Sequence, residues 1–301
     1  MKRFKNILML YAQRVGDDAA LARATELAKA NVASLTIVEV LDARVEPSTA
    51  FFAERQAYLE RLAVSVHHEG VKVSTRVLRG REFLEIIRLV LRDGFDLVVM
   101  AADSFEGLRS LTFGTTSMHL MRKCPCPVWV MKPPAQGRFR KILAAVAPAI
   151  DGPPDPLDIK ILQMASSLAR SEGGRLDIVH AWELTGADLE TSRSETTKAI
   201  RQHLRDWNAT VREAAVEAVI AHADLDGLTH EVHLIEGRPE IVLPELAHSL
   251  ETDLIVMGTV RRGGIAGFLI GTTAEYTLFN VGCSVLAVKP DNFITPVSLN
   301  D

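Results

Sequence analysis

The sequence has few cysteines and no long apolar run. Its 301 residues include three cysteines, Cys124, Cys126 and Cys283, which form no paired framework and suit a reducing compartment. No segment reaches the roughly 18 uninterrupted apolar residues that a membrane span requires. The basic start MKRFKNILML also lacks a cleavage signature. The sequence therefore predicts a cytoplasmic location and no membrane partner.

The sequence has no large excess of one charge sign, and its cysteines and histidines are not spaced as metal ligands. The net charge of −4 gives no overall field for nucleic acid, so no nucleic-acid partner is expected. Cys124 and Cys126 are one residue apart, which is neither the C-x-x-C redox spacing nor a zinc-ribbon pair. His230 and His233 project from opposite faces of a predicted strand. Both cysteines are therefore predicted to be small buried residues, and no metal site is predicted.

Local catalytic signatures are missing as well. The chain has no G-x-S-x-G nucleophile turn, no H-E-x-x-H helix and no G-x-x-x-x-G-K phosphate loop. A site assembled in space from distant residues stays open, because sequence order hides such a site. The sequence therefore favours a protein that is not an enzyme, with weak ATP hydrolysis left as an alternative.

The main organisational feature is an internal repeat. At an offset of 157 residues, Gly80-Arg81 matches Gly237-Arg238, and Gly114-Thr115-Thr116 matches Gly271-Thr272-Thr273. A period this long indicates two duplicated domains rather than a solenoid of short units. Proline and glycine interrupt the pattern at residues 133–137, between the copies.

The repeat predicts one domain over residues 1–135 and a second over residues 138–293. In each copy, short apolar runs alternate with helical patterns, which indicates parallel sheets with right-handed crossovers. Runs such as Leu254-Ile255-Val256-Met257 are continuous, as in strands that are covered on both faces. The fold class predicted is α/β, with two doubly wound parallel five-stranded sheets in tandem.

Five strands are predicted in each copy, with helices between them. Asp17-Asp18 is predicted to cap the first helix, and a second helix is predicted over Ser48–His68. The predicted strands lie near residues 7–11, 35–40, 71–77, 96–101 and 128–131 in the first copy, and near 141–147, 175–181, 229–235, 253–258 and 284–289 in the second.

The most unusual loop follows the strand at 253–257. Open parallel sheets bind ligands beyond the carboxyl ends of their strands, and glycines there let backbone amides approach an anion. Arg261 and Arg262 can add a cation, and Thr272 and Thr273 can add hydroxyl donors. The alternative is that the glycines only permit a turn and the arginines are solvated. The candidate ligand-binding residues are Gly258, Thr259, Arg261, Arg262, Gly264, Gly271, Thr272 and Thr273.

The stretch from Met257 to Glu275 resembles the C-terminal signature of universal stress proteins. That signature is G-x-x-G, followed by nine residues and then by a glycine with Ser or Thr. Residues 262–270 are the nine intervening residues in this sequence. The resemblance covers nearly the whole chain and rests on the tandem arrangement and the spacing together. It implies an adenine nucleotide alpha hydrolase-like fold and a role in the stress response. For nucleotide-binding members it implies ATP with Mg²⁺ as the ligand, here in the second domain.

The sequence departs from this family pattern at several positions. The Asp that ends the first strand, which contacts the base, is replaced by Ala12 and Ala147 in the two copies, and the second motif glycine is Arg261. The first copy has Ala101 and Ser104 at the two leading glycine positions. A lost charged hydrogen bond costs about 1.5–3 kcal/mol. We therefore expect the first copy to be a scaffold that does not bind ATP, and the second to bind it weakly if at all.

The leading interpretation is a regulatory stress-response protein that binds a small molecule, a nucleotide or an apolar metabolite, through its second domain. A ligand-free protein-interaction module and a slow nucleotide hydrolase are the alternatives. Because the C-terminal strand of this family often serves in subunit pairing, Val285–Val288 is predicted to form an edge contact. That contact lies either within the chain, between the copies, or between two chains of a homodimer.

Overall fold

The structure is a computed structural model that describes residues 4–44, 48–104, 111–132, 137–183, 195–259 and 272–299. These residues form two compact units. The first unit consists of the residues up to Gly137, of Thr259 and of the segment from Gly282 onwards. The second unit consists of Arg138–Gly258 and Thr272–Val281. Every helix within the described ranges is too short or too polar to span a bilayer.

The first unit is an α/β structure whose strands and helices alternate along the chain. Its helices are α1 (Asp17–Asn31), α2 (Thr49–His68), α3 (Glu82–Asp93) and α4 (Thr115–Lys123). Its strands are β1 (Asn6–Leu10), β2 (Ser34–Asp42), β3 (Lys72–Gly80), β4 (Leu97–Ala101), β5 (Asp103–Ser104), β6 (Leu111–Thr112), β7 (Val128–Met131) and, from the end of the chain, β12 (Ser284–Val288).

The main sheet of this unit has the order β12-β7-β4-β1-β2-β3. All neighbours among β7, β4, β1, β2 and β3 are parallel. Ile7 lies opposite Leu35 on one side and Leu97 on the other, and all three are fully buried. The continuous apolar runs of the sequence therefore form central strands that are covered on both faces, as predicted.

The second unit repeats the alternation. Its strands are β8 (Lys141–Ala145), β9 (Arg175–Trp182), β10 (His230–Glu236) and β11 (Leu254–Gly258), and its helices are α5 (Pro156–Glu172), α6 (Glu195–Ile220), α7 (Pro239–Ser249) and α8 (Thr272–Asn280). The order β10-β9-β8-β11 is parallel throughout. The predicted α/β class and the predicted strands are confirmed to within a few residues, whereas the two-residue strands β5 and β6 were not predicted.

The strand β12 departs from the parallel arrangement. It runs antiparallel to β7, with Val285 opposite Val130 and Leu286 opposite Trp129. The repeat assigns this strand to the second copy, yet it groups with the first unit. The predicted edge contact of Val285–Val288 therefore forms within the chain, where the apolar side chains of the two strands cover each other.

The start of α1 differs from the prediction. The residue at the N-cap is Gly16, which adopts a left-handed conformation with φ of 99°, and no side chain caps the helix. Glycine adopts this conformation without the steric cost that a Cβ adds. The chain turns there so that Asp17 points back to the loop after β1, where its Oδ2 accepts the N–H groups of Ala12 and Arg14 at 2.8 Å each.

Candidate functional site

A cleft of about 630 Å³ lies in the first unit, at the carboxyl ends of β2 and β3. Ligands of open parallel sheets bind on this side of the sheet. The polar side chains that line the cleft come from the end of β2, from the turn into α3 and from the first turns of α4. They are Asp42, Arg44, Arg81, Glu82, Thr115, Thr116 and His119.

Two helices begin at this cleft without a side-chain cap. The N-cap of α3 is Arg81 and that of α4 is Gly114, and neither makes a capping hydrogen bond from its side chain. The first N–H groups of a helix have no partner within the helix, and the helix dipole adds roughly half a positive charge there. Glu82 in the first turn of α3 is already paired with Arg14 at 2.6 Å. The dipoles of both helices therefore favour an anion at this cleft.

The two arginines of the cleft differ in their surroundings. Arg44 Nε donates to both carboxylate oxygens of Asp42 at 3.0 Å, and these hydrogen bonds lower the pKa of Asp42 to about 2. The side chain of Arg81 is exposed and makes no ion pair or hydrogen bond with the other residues that the structure describes. The charge of Arg44 is thus neutralised within the protein, whereas that of Arg81 is available to a ligand.

The imidazole of His119 forms an apolar wall of the cleft. It stacks on Phe83 with ring centroids 4.1 Å apart and an interplanar angle of 23°. Its Nδ1 is buried and has no hydrogen-bond partner within the described ranges. Burial, and then the positive charges of Lys123, Arg122 and Arg81, lower the pKa of His119. The ring is therefore neutral at pH 7.

In each copy, a buried carboxylate accepts hydrogen bonds from the backbone of the loop that follows the first strand. Asp17 is 1% exposed, and burial raises its pKa despite the hydrogen bonds that it accepts from the loop. In the second unit Asp158 is equally buried, and its Oδ1 accepts the N–H of Ala147 at 3.1 Å. The alanines that replace the base-contacting Asp therefore lie in loops held by structural hydrogen bonds.

The repeat also aligns two arginines on the long helices, Arg55 in α2 and Arg212 in α6. The guanidinium of Arg55 lies 4.8 Å from the ring centroid of Tyr58, and that of Arg212 lies 4.5 Å from that of Trp182. Cation–π contacts of this kind are worth about 0.5–2 kcal/mol. Each copy thus uses its arginine in packing, and neither arginine faces the cleft described above.

The structure describes four of the eight candidate residues of the second copy. An added Cβ on Gly258 would lie 3.0 Å from Leu157 Cδ2, so this glycine allows β11 to approach α5. Thr259 is buried, and its hydroxyl donates to the Met121 carbonyl at 2.9 Å and accepts a hydrogen bond from Lys289. Thr272 begins α8, and Thr273 is half-buried in its first turn.

The other four candidate residues, Arg261, Arg262, Gly264 and Gly271, lie outside the described residues. Of the eight, the structure therefore places Gly258 and Thr259 in packing and hydrogen-bonding roles and Thr272 and Thr273 at a helix start.

A cluster of charged residues on β9 and β10 was missed by the sequence analysis. His233 Nε2 lies 2.9 Å from Asp177 Oδ1, and Glu231 completes a group whose ligand atoms lie within 4.8 Å of one another. Arg175 contacts Asp177 at 2.5 Å and Glu231 at 3.5 Å. Hydrogen bonds from Arg175 and His233 lower the pKa of Asp177 against the opposing effect of burial. The chain itself therefore supplies the cation that these carboxylates require.

Known proteins match the chain along its whole length. The model of the universal stress protein family matches residues 3–132 and 138–289. Universal stress protein E of Escherichia coli K12 is 29% identical over 318 aligned residues, which cover 100% of this chain and 99% of that protein.

Solved structures agree with this match. A protein of unknown function from Pseudomonas aeruginosa PAO1 is similar with a TM-score of 0.76 and 25% identity, over 97% of this chain and 94% of that one. A universal stress protein from Archaeoglobus fulgidus has the same fold, with a TM-score of 0.66 at 16% identity over 97% of this chain and 99% of that one. Since the family model matches both copies, the chain belongs to the universal stress protein family as a tandem, two-domain member.

Proposed function

We propose that this stress-response protein is a regulatory, cytoplasmic protein that binds a small anionic molecule without turning it over. The observation that carries the proposal is the cleft of about 630 Å³ in the first unit, at which two helices begin beside the exposed cation of Arg81. A volume between about 300 and 1,000 Å³ is typical of sites for small molecules. The three cysteines are not joined by disulfides, which suits the reducing cytoplasm.

The lining of the cleft favours a phosphate group over other ligand chemistries. Arg81 supplies an exposed cation, and Thr115 and Thr116 supply hydroxyl donors at the start of α4. Charged donors make stronger hydrogen bonds to phosphate oxygens than neutral donors do. A phosphorylated metabolite with a partly apolar body would contact these donors and the wall that His119 and Phe83 form.

The same lining argues against catalysis. Both carboxylates of the cleft are already committed, Asp42 to Arg44 and Glu82 to Arg14. A general base must be able to accept a proton in the reacting complex, and a carboxylate that is held in an ion pair is a poor base. The commitment of both carboxylates thus supports binding rather than slow nucleotide hydrolysis.

Selectivity for the base of a nucleotide is not expected in the first copy. The position of the base-contacting Asp is Ala12, whose N–H is bonded to the buried Asp17. Recognition then depends on the phosphates alone. ATP and inorganic tripolyphosphate should therefore bind the cleft with similar affinity.

The second copy provides a second candidate site for ATP with Mg²⁺ or another small molecule. The spacing from Gly258 to Gly271 supports it, whereas the hydroxyl of Thr259 is already engaged with Met121 and Lys289. Binding of the phosphate groups there would then depend on Gly271, Thr272 and either Arg261 or Arg262. Binding there is expected to be weak.

Thermal-shift titration tests the proposal, because a ligand that binds only the folded state raises the apparent stability. We expect saturable stabilisation of the full-length protein by both Mg·ATP and tripolyphosphate, at similar concentrations. A response to ATP alone would show that a base contact exists after all. No response to either anion at millimolar concentration would reject the binding function and favour a protein-interaction module.

The second copy is tested in an Arg81→Ala background, in which the first cleft is weakened. Stabilisation by Mg·ATP that remains there should disappear when Gly271→Ala and Thr272→Ala are added. Arg261→Gly restores the family's second glycine, so affinity should rise if that arginine blocks the phosphate. An unchanged or lower affinity would reject the blocking role.

A further inference from the structure

The segment Cys124-Pro125-Cys126-Pro127 joins the last turn of α4 to β7. The N–H of Cys124 donates to the Leu120 carbonyl at 2.9 Å and so completes the final turn of the helix. Both cysteines are buried and free, as the sequence predicted. Their sulfur atoms are 3.6 Å apart, which is close to van der Waals contact.

The two prolines hold the thiols in this position. A residue that precedes proline is restricted to extended conformations, and each cysteine of this segment precedes a proline. Cys124 has φ of −68° and ψ of 131°, in agreement with that restriction. The prolines therefore restrict the backbone of both cysteines, and side-chain rotation is the main route by which the two sulfur atoms approach. A disulfide needs a sulfur–sulfur distance of about 2.05 Å, so the atoms must approach by roughly 1.5 Å.

A buried amine accompanies the thiol pair. Lys289 is 1% exposed and donates hydrogen bonds to the Met121 carbonyl and to the Thr259 hydroxyl. Burial lowers its pKa to about 7, against the opposing electrostatic effect of Cys124 and Cys126. This coupling works in both directions, since a protonated Lys289 favours a thiolate at the pair.

We propose that Cys124 and Cys126 are a redox-sensitive pair, which a peroxide converts reversibly into an intramolecular disulfide. The inference rests on the two buried sulfur atoms in contact, the proline-restricted backbone and the buried amine. It does not depend on the ligand-binding proposal, because the product is a covalent bond that is detected directly.

The reaction balances with hydrogen peroxide as the oxidant. Cys126 is 8% exposed and Cys124 is fully buried, so the Cys126 thiolate meets the peroxide first. Its sulfur attacks one peroxide oxygen, the O–O bond breaks, and hydroxide leaves as a sulfenic acid forms. The sulfur of Cys124 then attacks Cys126, the S–O bond breaks, and the hydroxide takes up the proton of the Cys124 thiol. Two thiols and one peroxide thus give one disulfide and two waters.

The rate should depend strongly on pH. The hydrogen bond with Cys124 and burial raise the pKa of the Cys126 thiol. Since the thiolate is the nucleophile, its population rises about tenfold for each pH unit below that pKa. Disulfide formation should therefore be slow at neutral pH and accelerate between pH 7 and pH 8, but by less than tenfold, because Lys289 loses its proton over the same range.

The test uses the reduced full-length protein. It is treated with hydrogen peroxide, unfolded in the presence of N-ethylmaleimide and mapped by peptide mass spectrometry. We expect the peptide with Cys124 and Cys126 to carry no label and to have lost two hydrogen atoms, and dithiothreitol to restore labelling of both. Cys283→Ser, which removes the half-buried third cysteine, is the matched control and should behave like the wild type. Cys124→Ser and Cys126→Ser should each abolish the product.

Three results would overturn the proposal. One is full labelling of both cysteines after treatment, and another is sulfinic acid on Cys126 without a disulfide. The third is a bond formed only between Cys283 residues of two chains. If a serine variant fails to fold, peptide mapping of the wild type and of Cys283→Ser still decides between these outcomes.

Discussion

At the scale of single residues, Glu39 and Arg55 form the ion pair whose loss is expected to matter most. Their side chains are 9% and 10% exposed, and the Arg55 Nε lies 3.0 Å from Glu39 Oε2. Removing one partner of a buried pair leaves an uncompensated charge, at a cost of about 3–5 kcal/mol. We therefore expect Arg55→Ala to lower the free energy of unfolding, measured with urea, by that amount.

An exposed pair provides the control for this prediction. Arg44 and Asp42 lie 2.5 Å apart, but their side chains are largely exposed to solvent. Exposed pairs are screened by solvent and contribute little, so Arg44→Ala should leave the unfolding free energy almost unchanged. Equal losses in the two variants would show that burial does not govern the strength of these pairs.

A second residue-scale prediction concerns pH and Lys289. Its pKa is lowered from 10.5 in the unfolded chain to about 7 in the folded protein by burial. Between these two values the unfolded chain binds more protons, so the stability of the protein rises with pH. The contribution of Lys289 is fully unfavourable below about pH 7 and is relieved as the pH rises towards 10.5, with a slope of up to about 1.4 kcal/mol per pH unit.

Comparison of the wild type with Lys289→Met isolates this contribution, because every other titrating group is common to both proteins. The free energy of unfolding should increase from pH 7.5 to pH 9.5 by more in the wild type than in Lys289→Met. Parallel pH profiles would mean that Lys289 remains charged in the folded protein.

At the scale of secondary structure elements, Gly174 sets how closely the turn between α5 and β9 approaches the start of β8. An added Cβ at this position would lie 2.3 Å from the backbone oxygen of Arg140. A backbone atom cannot move aside as a flexible side chain can. We therefore expect Gly174→Ala to destabilise the protein by about 1–3 kcal/mol or more, as measured by urea unfolding.

Gly282→Ala is the matched control, since an added Cβ there meets no atom within 4 Å. The two variants add the same methyl group, so their difference isolates the close approach. If Gly174→Ala were as stable as Gly282→Ala, the contact between the turn and Arg140 would be looser than the structure shows.

The elements also show how far sequence reasoning extends. Apolar runs bounded by glycine, proline and charged residues predicted strands such as β4 and β11, because burial on both faces leaves a local signal. The start of α1 could not be predicted, since whether Asp17 caps the helix or binds the preceding loop depends on the conformation of Gly16. The antiparallel direction of β12 has no local signal either, because strand periodicity is the same for both directions.

The candidate cleft escaped the sequence analysis for a related reason. Its donors come from the end of β2, the start of α3 and the start of α4, which are far apart along the chain. The local signals were the repeated Gly80-Arg81 pair and the retained Gly114-Thr115-Thr116 segment, and the lost glycines of the first copy outweighed them. A glycine motif is visible within one loop, whereas a cleft formed by two helix ends becomes visible only when the fold is known.

At the scale of the whole molecule, the two copies differ in the features that suit ligand binding. The first unit holds the cleft that Arg81 and the first turns of two helices line, but it lacks the leading glycines of the motif. The second copy keeps the spacing from Gly258 to Gly271, but its base-contacting position is Ala147.

Calorimetric titration of the full-length protein with tripolyphosphate tests the central claim, anion binding in the first cleft, most directly. The wild type should show saturable binding, and Arg81→Ala should weaken it by about ten- to a hundred-fold, which corresponds to the loss of a charged hydrogen bond. Arg92→Ala, at the other end of α3, should bind like the wild type. Absence of binding at millimolar tripolyphosphate, or equal affinities for the wild type and Arg81→Ala, would contradict the account.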